Sequence, residues 1–312
     1  MPRLRHPPKV DRRDNSSDLS DRVRRVVIVG SGGRLGAALT RLYSDKHEVI
    51  GFNHYQMDLG DLAQVRQLLS HVRFDLLVNC AALTNVDYCE SHREEARRIN
   101  ADGPQCLAEV CRAKGARLIH ISTDYVFDGS QRTPYSEHDA ARPISVYGES
   151  KLEGENRVLG LGAEHLVVRA SWVFGPDRPS FIDQVITRAE ESAEVSAVAD
   201  KFSTPTYTLD LANLLQTAWE ARLNGLLHLA NDGDCSWQEY AQHAIDCCVG
   251  AGIKLKATRV GALSLSDMKN FVARRPPFTV LSTDEFTRLT GAKPRHWRQA
   301  VADYVKTYIA HK

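Results

Sequence analysis

From residue 23 onward the chain alternates short apolar runs with stretches of helical period. Arg25-Val26-Val27-Ile28-Val29 is the first run, and Leu35, Leu39 and Leu42 then recur on one helical face. Val49-Ile50-Gly51-Phe52 predicts a second strand, and Leu62, Val65, Leu68 and Leu69 a second helix. Asp75–Asn79 predicts a third strand, Leu107–Cys111 a helix, and Arg117–Ser122 a fourth strand. Ser150–Leu159 reads as a helix and His165–Arg169 as a fifth strand. Strands that are apolar throughout are covered on both faces, and their alternation with helices demands parallel crossovers. The pattern predicts an α/β fold, a doubly wound parallel sheet of Rossmann type, with a second, smaller α+β substrate domain.

Past Gly175 the regularity weakens. Phe181–Glu191 and Leu209–Ala221 read as helices, and Leu226–Ala230 as a strand returning to the main sheet. Trp237–Val249 reads as a helix capped by Ser236, and about Trp297–Ile309 as a closing helix. Residues 1–22 show no apolar period, and Met1–Arg25 carries eight Lys/Arg against four Asp. That composition predicts a disordered tail or a basic arm, and it lacks the apolar run of a signal peptide.

Composition narrows the function classes. The 312 residues are 43% hydrophobic and 25% charged, with forty Lys/Arg against thirty-nine Asp/Glu. This is ordinary globular composition, without the basic excess of a nucleic-acid binder. No apolar run is long enough for a membrane span. Seven cysteines without a C-x-x-C pair argue against a disulfide framework or a zinc site, and for a reducing, cytoplasmic setting. There is no H-E-x-x-H, no G-x-S-x-G and no G-x-x-x-x-G-K-[ST]. No metal is expected.

Gly30-Ser31-Gly32-Gly33-Arg34-Leu35-Gly36 fits G-x-x-G-x-x-G between the first strand and the first helix. Glycines there allow a tight turn and let the backbone approach a pyrophosphate at the helix N-terminus. The spacing of Gly30, Gly33 and Gly36 resembles that of the extended short-chain dehydrogenase/reductases. Residues 23–175 are therefore expected to form an NAD(P)-binding Rossmann domain, rejoined at about 208–232. Residues 176–312 would form a discontinuous substrate-binding domain. The second strand ends Phe52-Asn53-His54, without the acid that holds the ribose diol of NAD. Asn53 does not repel a 2′-phosphate, and Arg34 either pairs with one or is a solvated helix-start residue. The expected cofactor is NADP, with NADPH preferred and NADH usable. Asp58 and Leu59 stand where the chain would face the adenine.

Tyr147 and Lys151 are four apart and share a helical face. An ammonium near a phenol lowers its pKa and suits it to proton transfer. A hydroxyl from Thr123, at the end of the fourth strand, could hold a substrate oxygen. The set fits carbonyl reduction, with a nicotinamide as reductant and Tyr147 as proton donor. Lys151 could also hold the nicotinamide ribose.

Three stretches carry a more specific likeness: Ser122-Thr123-Asp124-Tyr125-Val126-Phe127-Asp128-Gly129, Pro134–Asp139, and Tyr147-Gly148-Glu149-Ser150-Lys151 continuing to Glu155. With Asn79–Asp87 and Arg169-Ala170-Ser171-Trp172-Val173-Phe174-Gly175, the chain resembles the dTDP-4-dehydrorhamnose reductase family over about residues 25–312. The resemblance implies NAD(P)H-dependent reduction of the 4-keto group of dTDP-6-deoxy-L-lyxo-4-hexulose to dTDP-L-rhamnose. It implies that Ala81, Ala82 and Leu83 line the cofactor and that Thr123 and Asp124 meet the sugar. Trp172 would flank the sugar or nicotinamide, or serve as a core aromatic. Asn100 would support a proton relay through the lysine or make a local backbone bond. Arg275 would bind the nucleotide phosphates or sit in a solvated charge pair.

The sequence departs from the family at Asn53-His54, which lacks an acid, and at the apolar Pro277-Phe278-Thr279-Val280. Two other functions share the scaffold: a different nucleotide-sugar reductase or epimerase, and an NADP-binding regulatory subunit resembling methionine adenosyltransferase β. The complete Thr123–Tyr147–Lys151 set and Trp172 favour the reductase. A nucleotide-sugar substrate is the expected partner, with no nucleic acid or membrane and with room for a homodimer.

Overall fold

Six strands lie side by side, all parallel, in the order Glu48–Phe52 (β2), Arg25–Val29 (β1), Leu76–Asn79 (β3), Arg117–Thr123 (β4), Leu166–Ala170 (β5) and Gly225–His228. The computed structural model describes residues 23–311, so the segment expected to be a tail lies outside the described residues. From β1 the chain moves outward to β2, then back across β1 to β3. Neighbouring crossovers run in opposite directions there, which opens a crevice beyond the carboxyl ends of β1 and β3.

Alternate residues of β1 feed opposite faces of the sheet. Val26 and Ile28 pack with Leu39 and Tyr43 of the Arg34–Ser44 helix and with Leu211, Leu215 and Trp219 of the Thr208–Glu220 helix. Val27 and Val29 pack with Val65, Leu69, Leu107, Cys111 and Val158 on the other face. Two covered faces explain why the strands read as unbroken apolar runs. Each fully buried Val, Leu or Ile contributes about 1.5–3 kcal/mol of transfer free energy.

After β5 the chain leaves the sheet and builds a second, aromatic cluster around Phe174, Tyr207, Tyr240, Trp297 and Tyr304. Ser236 and Glu239 cap the Trp237–Gly250 helix reciprocally, each side chain accepting from the other's backbone N–H. The closing helix runs from Trp297 to Tyr304 and continues as a π-helical turn, Val305–Ile309.

Two local features were not legible in the apolar pattern. The helix that the apolar pattern shows over Ser150–Leu159 begins at Val146, as the Tyr147–Lys151 spacing requires, because the Ser145 hydroxyl accepts from the Gly148 N–H at 3.2 Å and caps it. Tyr147 therefore stands on its first turn and Lys151 one turn further on. A π-helical turn over Arg98–Asp102 precedes the Gly103–Lys114 helix and carries the buried Asn100. Among the described residues no helix is long and apolar enough to cross a membrane.

Candidate active site

A cleft of about 870 Å³ opens at the carboxyl ends of β1, β3 and β4. Its floor is the turn after β1. Gly30 has φ +83°, a left-handed conformation that favours glycine, and a Cβ there would stand 2.7 Å from Ala81 N. A Cβ on Gly36 would stand 2.1 Å from Gly30 O, so the helix can approach the strand only without a side chain at 36. Gly30, Gly33, Arg34 and Leu35 line the cleft, while Gly36 stands behind it. Gly33 precedes the helix, no side chain caps it, and its first turn holds no acid. A glycine cradle at an uncapped helix start fits the phosphates of a dinucleotide.

Asn53, Asp58 and Leu59 line the same cleft, as do Ala81, Ala82 and Leu83. Asn53 Oδ1 accepts from the Tyr55 and Gln56 N–H groups at 3.0 and 3.2 Å, shaping the turn after β2. Asn100 holds Leu83 at both backbone groups: its Oδ1 accepts from Leu83 N at 2.9 Å and its Nδ2 donates to Leu83 O at 3.0 Å. The same Nδ2 reaches Ser150 Oγ, also at 3.0 Å. Asn100 thus ties the β3 loop to the helix of Tyr147 and Lys151.

Thr123, Tyr147 and Lys151 meet in the cleft. The sequence reading expects the Lys151 ammonium to lower the Tyr147 pKa. Instead Lys151 Nζ donates to Ile121 O at 2.7 Å, and burial pushes the Tyr147 pKa up, with a hydrogen bond to Thr123 opposing. Tyr147 is thereby held as a neutral phenol, the form that donates a proton. Burial lowers the Lys151 pKa to about 8, with the Glu155 charge opposing. Asn79 Oδ1 accepts from Ala81 N at 3.1 Å, which turns its Nδ2 to His120 Nδ1 at 3.0 Å. His120, buried beside Lys151, has its pKa lowered well below that of a free histidine by desolvation, with the Lys151 charge adding to it.

A pH dependence follows. The Lys151 ammonium is present below about pH 8 and lost above it. Catalysis that needs it is expected to fall as pH rises through that value, seen as an alkaline limb in kcat/KM. Lys201, off the cleft lining, is also lowered by burial to about 8. Lys201→Gln should leave the limb in place; a limb that vanishes in that variant would contradict the assignment to Lys151.

Asp124 lines the cleft but is buried, its oxygens taking hydrogen bonds from Thr123 Oγ1 at 3.1 Å and Ser171 Oγ at 3.0 Å. Desolvation raises its pKa, with Lys201 opposing most strongly. Trp172 lines the cleft with φ +41°, a conformation costing a bulky residue about 1–3 kcal/mol. Phe181, Trp237 and Tyr240 hold its ring, with centroids 4.8–5.6 Å away. Arg275 does not line the cleft. Its guanidinium is taken up by Asp87, at 2.7 and 3.0 Å, and lies over the Phe271 ring.

The sequence reading missed two cations. Lys201 is buried, donates to Pro276 O at 2.8 Å and lies over the Tyr125 ring. Arg178 lines the cleft from the segment after Phe174 and donates from Nε to Gly32 O at 2.6 Å. Neither belongs to a local motif, and only the fold brings them in. Among the described residues no group of three or more His, Cys, Asp or Glu could hold a metal ion.

A glycine cradle on a parallel sheet, with Thr, Tyr and Lys converging beside it, defines an oxidoreductase of the short-chain dehydrogenase/reductase class. Comparison with known proteins narrows the class. The family described as RmlD substrate binding domain matches residues 24–310, and the chain belongs to that family. A dTDP-4-dehydrorhamnose reductase of Mycolicibacterium smegmatis is 38% identical over 289 residues, covering 91% of this chain and 86% of the relative. A probable dTDP-4,6-dihydroxy-2-methyloxan-3-one 4-ketoreductase of Streptomyces antibioticus is 34% identical, covering 92% and 96%. The crystal structure of dTDP-4-dehydrorhamnose reductase from Bacillus anthracis in complex with NADP superposes with a TM-score of 0.84. It is 32% identical and covers 91% of this chain and 99% of that one.

Proposed function

We propose that this protein reduces the 4-keto group of dTDP-4-dehydrorhamnose to give dTDP-L-rhamnose, using NADPH. The observation that carries the reading is the convergence of Thr123, Tyr147, Lys151 and Trp172 in the cleft whose floor is the glycine cradle. The cradle, the uncapped helix start and the neutral Asn53 fit a phosphorylated dinucleotide. When bound, the nicotinamide supplies a hydride to the carbonyl carbon.

The chain's own residues do the rest. Tyr147 gives its phenolic proton to the carbonyl oxygen as negative charge develops there. The Thr123 hydroxyl, in the same cleft, holds that oxygen in reach. Lys151, one helical turn beyond Tyr147, is fixed through Ile121 O and brings its positive charge into the same cleft. Leu83, fixed through Asn100, forms one wall of the cofactor site. Trp172 offers an aromatic face to the sugar. Tyr147 is 9% and Lys151 2% exposed, so little of either side chain meets water. We place the enzyme in a reducing cytoplasm, where its seven free cysteines remain thiols.

The experiment is incubation with NADPH and dTDP-4-dehydrorhamnose, with the sugar nucleotides separated and identified. Formation of dTDP-rhamnose is expected. Cofactor binding without consumption of that sugar, and with consumption of a different 4-keto sugar nucleotide, would overturn the substrate and keep the chemistry.

A further inference from the structure

The glycine loop is bordered by a guanidinium from the far side of the cleft. Arg178 donates from Nε to Gly32 O at 2.6 Å, and a Cβ built on Gly32 would lie 3.9 Å from its Nη2 and 3.3 Å from Asn53 Cβ. Arg178 therefore stands over the edge of the loop that faces Asn53, at the end of β2. In a doubly wound fold this is the adenosine-ribose side of the dinucleotide. Among the described residues no carboxylate pairs with Arg178.

The segment carrying Arg178 is held from both flanks. Arg41, on the first helix, takes Asp177 in a two-pronged ion pair. Arg34, the residue that the sequence points to for a 2′-phosphate, spends its guanidinium on this segment. Its Nε donates to Arg178 O at 3.2 Å and its Nη2 to Pro179 O at 2.7 Å. Burial lowers the Arg34 pKa and the neighbouring Arg178 charge adds to this, while Asp183 opposes. Two cations thus stand within range of each other at the mouth of the ribose site. A dianion there would relieve their repulsion and take a two-pronged bond from the Arg178 fork.

We propose that Arg178 recognises the 2′-phosphate of NADP(H), and that Arg34 and Arg41 are positioning residues that fix the segment presenting it. The proposal rests on the dinucleotide reading of the cleft. It reassigns the cofactor-selecting contact from the glycine loop to the segment following the short Val173–Phe174 strand. The neutral Asn53 is permissive, and Arg178 supplies the preference.

The test is calorimetric binding, without sugar, of NADPH, NADH, 2′,5′-ADP and 5′-ADP to the wild-type protein and to Arg178→Ala. Arg178 is exposed, and a thermal melt checks that the variant is folded. The expected result is a loss of about 10- to 100-fold for NADPH and 2′,5′-ADP, the range of a charge-assisted contact, with NADH and 5′-ADP unchanged. Arg178→Lys should recover part of the loss, because a point charge keeps the attraction without the fork. Equal losses for NADH and NADPH would place Arg178 on the pyrophosphate and overturn the proposal. Full NADPH affinity in Arg178→Ala, with a selective loss in Arg34→Ala, would return the contact to Arg34 and also overturn it. A wild-type protein that binds none of the four would bring down the dinucleotide reading as well.

Discussion

Tyr147→Phe is expected to lower kcat by about 100- to 10,000-fold, the range of a lost general acid, while leaving NADPH affinity largely intact. The substitution removes one oxygen and keeps the ring that packs against Tyr125 at 5.8 Å. Thr123 and Lys151 remain in the cleft, so the residual rate reports what the site achieves without its proton donor. Stopped-flow oxidation of NADPH on the enzyme–cofactor complex reads the step directly. A variant within about tenfold of the wild type would show that another group donates the proton, because lost positioning alone would not spare the rate.

The second large effect lies beneath the site. Glu155, on the helix of Tyr147 and Lys151, is fully buried. It accepts from Ser122 Oγ at 2.6 Å and from Arg169 Nε and Nη2 at 2.9 and 2.7 Å. Arg169 is equally buried, its guanidinium over the Phe127 ring. Glu155→Gln keeps the shape and removes the charge, leaving Arg169 uncompensated. The expected cost is about 3–5 kcal/mol, read as a lowered urea midpoint. Replacing both partners, Glu155→Leu with Arg169→Met, should recover much of that loss, since an apolar pair need not be worse than a buried ionic one. Glu155 also supports the Lys151 ammonium against burial, so the alkaline limb of Glu155→Gln should move to lower pH. A loss under about 1 kcal/mol would mean that water reaches the pair.

The parallel sheet was legible because both of its faces are covered, so each strand is written as an unbroken apolar run. The cradle was legible because Gly30 and Gly36 are demanded by backbone approach, which no other residue satisfies. Tyr147 and Lys151 were legible because one helical turn separates them. What local pattern does not hold is long-range. Arg178 reaches Gly32 across 146 residues, and Asp87 captures Arg275 across 188. No spacing rule encodes either meeting. The direction of the Tyr147 shift was missed for a related reason. Proximity to Lys151 is visible in the sequence, but the burial that outweighs it belongs to the packed fold.

Trp172 is a third case. Its motif was visible, but its left-handed backbone was not. The strain is held by Phe181, Trp237 and Tyr240, all supplied by later segments of the chain. The turn after β1 supplies the cradle and the Val146–Leu161 helix the proton donor, while the aromatic body turns Trp172 into the cleft.

The most direct measurement is the loss of NADPH absorbance on adding dTDP-4-dehydrorhamnose to the wild-type protein, with Tyr147→Phe alongside. The account predicts that cofactor is oxidised in equal measure with sugar reduced, and that this turnover falls about 100-fold or more in the variant. Tight NADPH binding with no oxidation by the wild type, on this or any other 4-keto sugar nucleotide, would contradict it.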